Sequence, residues 1–211
     1  MVGRTAGAGV PLTADWQRVE AARDRFVDAA RRVGQDAPTL CEGWTARDLV
    51  GHLLVLRDDP LAWPGIAIPA LASLTDRRMA RATAAGYDAA LDSLAGRRPW
   101  LPPVIDLPGS RWGHHLGEYV VHTEDLLRAN ALSACAPDAA TAEVLWSRVQ
   151  VAARQLHGRR QQGLVLVRAD TGESAQVVPG ERAPTVTGTV LELLVWTYRG
   201  AEHADIVVDA G

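Results

Sequence analysis

Five times in the first 160 residues, apolar side chains return at steps of three and four, the spacing of an amphipathic helix face and not of a strand. Residues 14–33 carry Trp16, Val19, Ala22, Phe26, Ala29 and Val33 in this way, and Gly34 follows as a helix stop. Thr45 is placed to cap a second helix from about 46 to 58, with Asp48 at its third position as in a capping box. The three prolines of "DDPLAWPGIAIPAL" make a loop, after which a third helical period runs from about Thr75 to Leu94. Breakers in "GRRPWLPPVIDLPGS" precede a fourth helix, "RWGHHLGEYVVHTEDLLRANAL", and "PDAATAEVLWSRVQVAARQLHG" reads as a fifth.

Such a chain is mainly α, with connections that suit an antiparallel bundle over residues 1–160. The pattern changes beyond Gly158. "GLVLVRADTGESAQVVPGE" has β-rich runs around a turn and predicts a hairpin; "VTGTVLELLVWTYRG" predicts a compact helix and "ADIVVDA" a last strand. Residues 161–211 therefore form a small α/β appendage, expected to dock on the bundle because so short a unit buries too little to stand alone.

Composition removes several function classes. Hydrophobic residues are 47% and charged residues 22% of the 211, the balance of a globular chain and not of a disordered one. A net charge of −3 supplies no basic field for nucleic acid, which is not expected as a partner. All 22 basic residues are arginine, a bias that fits a GC-rich bacterial genome. The N-terminal residues have no apolar run of signal-peptide length, and no uncharged apolar stretch reaches membrane-spanning length, so a cytoplasmic protein without membrane contact is expected. Cys41 and Cys135 are isolated and are read as reduced thiols; Cys41 sits beside a helix start, where buried inert thiols are commoner than reactive ones.

Chemistry is concentrated in histidines and carboxylates. A lone imidazole on an apolar helix, as His52 is in "LCEGWTARDLVGHLL", is more often a hydrogen-bonded core group than a ligand. On the fourth helix, however, Glu118 and His122 stand four residues apart and project from one face. Two imidazoles and a carboxylate from two helices suit a divalent metal, zinc first and nickel, iron or manganese also, with coordination positions left open. His115 and Asp125 lie seven residues from His122 and Glu118 respectively, so they fall near the same face. Trp44, Trp63, Trp100 and Trp112 are available to line a cavity, although core packing is the commoner role.

"LCEGWTARDLVGHL" followed by "GEYVVHTEDLL" resembles the metal-binding domain of the mycothiol-dependent maleylpyruvate isomerase family, within the DinB-like four-helix-bundle superfamily. That resemblance implies His52, Glu118 and His122 as metal ligands. It also implies mycothiol or a similar thiol as cosubstrate, and Arg199, at the end of the last helix, as an active-site residue able to hold a substrate carboxylate. This chain reads Tyr198, Arg199, Gly200 where the family has Gly-Arg, so a different local loop is expected. The expected activity is thiol-dependent isomerisation or S-transfer on a small electrophile, by a monomer or homodimer. A metal hydrolase that activates water, and a non-enzymatic binding or regulatory bundle, remain as alternatives.

Overall fold

Helix α1 spans Ala14–Val33 and buries Val19, Ala22, Phe26 and Ala29 of the predicted stripe, with Val27 and Ala30 beside them, while Trp16 and Val33 are partly buried against the core. It stops where Gly34 takes φ +86° and donates its N–H to the Ala30 carbonyl at 3.0 Å. In the computed structural model, residues 14–59, 72–96, 111–133, 135–159, 163–181 and 183–210 are described. Both proline-rich loops, with Trp63 and Trp100, lie outside them.

Helix α2, Ala46–Asp58, begins as expected: the Thr45 backbone N–H and hydroxyl both donate to Asp48 Oδ2, at 2.9 and 2.8 Å. Buried positions from Ala46 to Arg57 go all the way round it, as in a helix enclosed by others. Gly51 lets helix α3, Ala72–Ala82, come close, since a Cβ there would sit 3.0 Å from the Met79 carbonyl oxygen. The helix predicted from Thr75 to Leu94 is in fact two. It breaks after Ala82, where the Thr83 carbonyl accepts from Arg47 Nη2 at 3.0 Å, and restarts as α4, Tyr87–Ala95, after Gly86 at φ +110°. Buried Arg57 holds α4 onto α2 by donating to the carbonyls of Ser93 and Leu94, at 2.9 and 2.6 Å. Helix α5 is Arg111–Ala129; helix α6 is Ala139–His157, whose N-cap Asp138 accepts from the Thr141 N–H at 2.8 Å.

Among the described residues, the remainder is a four-stranded sheet, one α-helix and a short 3-10 turn at Ala201–His203. Strands β1 (Leu164–Arg168) and β2 (Ser174–Val178) form the predicted hairpin; β3 (Thr185–Gly188) lies parallel to β1, β4 (Val207–Asp209) lies antiparallel to β3, and the order is β2-β1-β3-β4. The stretch predicted as helix from Val186 therefore opens as a strand, because the β-branched Thr185, Val186 and Thr187 face β1; helix α7, Val190–Arg199, starts only after its Thr189 cap. One hydrophobic core runs through both parts, joining Phe26, Leu49, Leu53, Leu116, Tyr119, Leu145 and Trp146 to Leu164, Leu166, Val186, Leu193 and Leu194. The fold is mainly α with a small C-terminal α/β part. Among the described residues, no helix is long and apolar enough to cross a membrane.

Candidate metal centre

Helix α2 delivers His52 and helix α5 delivers Glu118 and His122. The one-turn spacing of the latter two places both over α2. Glu118 Oε2 lies 3.4 Å from His52 Nε2 and 3.5 Å from His122 Nε2, and one donor atom of each residue falls within 4.8 Å of the others. The two imidazoles meet edge to face at a centroid distance of 5.0 Å, and Trp44 covers His52 at 5.3 Å. His52 and His122 are buried.

These surroundings push the two histidines apart. Burial pulls the pKa of His52 down. Burial also opposes the charged form of His122, but its contacts with Asp125, Cys41 and Glu118 prevail and hold it well above the ordinary value. For Glu118 burial favours the neutral acid, and the hydrogen bonds from His122 and His52 outweigh it, so the carboxyl stays well below its ordinary range. His52 Nδ1 is buried without a hydrogen-bond partner among the described residues.

Behind His122 stands a group that the sequence only hinted at. Asp125, with no exposed surface, accepts from His122 Nδ1 at 2.7 Å. That bond leaves Nε2 turned to Glu118 and His52. Arg199, at the end of α7, donates from Nε and Nη2 to the two oxygens of Asp125, each at 2.6 Å, and Asp125 is held down to about 2, burial being outweighed by Arg199 and His122. Arg199 Nη2 also lies 3.1 Å from Cys41 Sγ, which is 3.4 Å from Asp125 Oδ2. The fork expected to face a substrate carboxylate is thus on Asp125, and Nη1 donates to the Tyr198 carbonyl at 3.1 Å.

Of the neighbouring histidines, His114 and not His115 turns to the site, with Nδ1 3.9 Å from Glu118 Oε1. His115 is buried against Trp16, at a centroid distance of 6.1 Å, where burial lowers its pKa to about 4. The i, i+4 relation of His114 to Glu118 was the signal in the sequence. Cys41 gave none beyond its place in the loop before α2. His157 stacks on Trp196 at 4.6 Å, and His203 offers its carbonyl to Arg128; neither joins the site. Trp112 packs against the core.

Two crystal structures of mycothiol-dependent maleylpyruvate isomerase superpose on this chain, each with a TM-score of 0.58 and each covering 96% of this chain and 94% of the other. The chain has that isomerase's fold. Identity is 16% to the structure of a histidine-to-alanine mutant of the isomerase and 15% to the other structure, so the likeness to the isomerase is one of fold. No family model matches the sequence, and no curated protein matches it.

Proposed function

We propose that this protein is a divalent-metal enzyme that uses a low-molecular-weight thiol, mycothiol or a close analogue, for isomerisation or S-transfer on a small electrophile. The observation that carries the proposal is the convergence of His52 Nε2, Glu118 Oε2 and His122 Nε2 inside a fold shared with a mycothiol-dependent isomerase. Two imidazoles and a carboxylate fit zinc, and nickel, iron or manganese are compatible. A cation held by these three residues supplies Lewis acidity that favours the thiolate form of a bound thiol near neutral pH.

The chain's own groups do the rest. Asp125 keeps the His122 proton on Nδ1 and leaves Nε2 for the site. Burial favours a neutral His52, the form that can donate a lone pair, and Trp44 shields that ring from water. Arg199 belongs to the same centre through Asp125, as a positioning residue carried by the 161–211 unit.

Elemental analysis of tag-free protein tests the first half. About one metal equivalent, lost in His52→Ala and His122→Ala, is expected; no uptake even with added zinc, nickel or manganese would overturn the reading. Cobalt-substituted protein tests the second half. Its visible spectrum is expected to change on saturation with a small thiol, and an unchanged spectrum together with turnover in the absence of thiol would favour water activation instead.

A further inference from the structure

His122 is shared by two sets of metal-binding atoms. Its Nε2 faces His52 and Glu118, while on the other side Cys41, His122 and Asp125 also present donor atoms within 4.8 Å of one another. Arg199 Nη2 occupies the second set: it lies 2.6 Å from Asp125 Oδ2 and 3.1 Å from Cys41 Sγ, the place a bound cation would take between them. We infer that Arg199 is a built-in cation that fills this second set and so confines a divalent metal to the His52, Glu118 and His122 side of the shared ring. The inference rests on the metal reading of the first set and deepens it, since it says why a thiol ligand from the protein is kept out.

The position needs a fixed positive charge, and arginine supplies it with the best fit. A carboxylate with no exposure to water needs a cation beside it. Guanidinium meets that need with a planar two-pronged contact and does not lose its proton, so the set stays filled at any working pH. Without it, a metal at Cys41 and Asp125 would displace the Cys41 thiol proton and the His122 Nδ1 proton to solvent, and sulfur would become a ligand.

Cobalt(II) reads the difference, because thiolate ligation adds a sulfur-to-metal charge-transfer band. Parent protein, Arg199→Gln, Arg199→Met, Arg199→Lys and Arg199→Gln/Cys41→Ser are loaded with cobalt with no thiol added, and those that keep the parent's helical circular dichroism are compared. The band is expected in Arg199→Gln and Arg199→Met and absent from the parent, from Arg199→Lys and from the double variant. A Cys41-dependent band in the parent, or folded Arg199→Gln and Arg199→Met without one, would overturn the inference. The same spectra in a His52→Ala background separate the two proposals. A band that persists there while the Arg199-containing protein takes up no cobalt is the expected outcome. No cobalt uptake by the otherwise unaltered parent would overturn the proposed function and the confinement that rests on it, whereas a Cys41-dependent band in Arg199→Gln would still show Arg199 filling the second set.

Discussion

Asp125 concentrates the electrostatics of the centre in one side chain. It holds the His122 proton on Nδ1 and neutralises Arg199, at 2.7 and 2.6 Å. Asp125→Asn keeps the shape and removes the charge, leaving half-buried Arg199 without its partner. A loss of about 3 kcal/mol in denaturant unfolding is expected from breaking such a pair, and a roughly 10–100-fold weaker metal affinity from loosening His122. Near-parent values in both would show that Asp125 is incidental. His122 gives a second prediction with a definite sign. Its pKa is raised above the ordinary 6.5, so the metal-free ring carries a proton at neutral pH that a metal on Nε2 must displace. Metal uptake should release protons in lightly buffered solution, and affinity should fall as pH falls.

At the scale of elements, helix ends are held by long-range side chains. Arg57, buried on α2, closes the C-terminal carbonyls of α4 from 37 residues away. Arg57→Met retains the apolar stem and removes the donors, and a destabilisation of about 1–3 kcal/mol is expected from carbonyls left unsatisfied. Faster amide exchange confined to α4 would locate the effect there, whereas unchanged unfolding would assign α4 its stability from packing alone. The bounds of α1 and α2 were legible because a glycine stop and a Thr45 with Asp48 act within a few residues. The break between α3 and α4 was not, because the apolar period continues through it and only Gly86 and the reach of Arg47 to Thr83 end the helix.

Across the whole molecule, Arg128 fastens the C-terminal part to the helices. From α5 it donates to Glu124 at 2.7 Å, to Glu192 at 2.6 and 2.9 Å, and to the His203 carbonyl at 2.8 Å. Arg128→Ala removes these together and strands the buried Glu124. A loss of about 1–3 kcal/mol is expected, with faster hydrogen exchange in α7. Metal affinity should fall as well, because α7 carries Arg199; an effect on stability without one on affinity would uncouple the docking from the centre. By itself the sequence determined the mainly helical class, the first two helices, the hairpin, and the common face of Glu118 and His122, all consequences of periods and caps that act within one or two turns. His52 joined that pair as a candidate ligand from a second helix, and the resemblance in its motifs added Arg199. Only the tertiary structure decided that Cys41, Asp125 and Arg199 meet, that His114 and not His115 turns to Glu118, and that Arg199 points its fork at an aspartate. Cys41 and Asp125 are 84 residues apart and Asp125 and Arg199 are 74 apart, so their contacts depend on how whole helices pack, which no local period encodes.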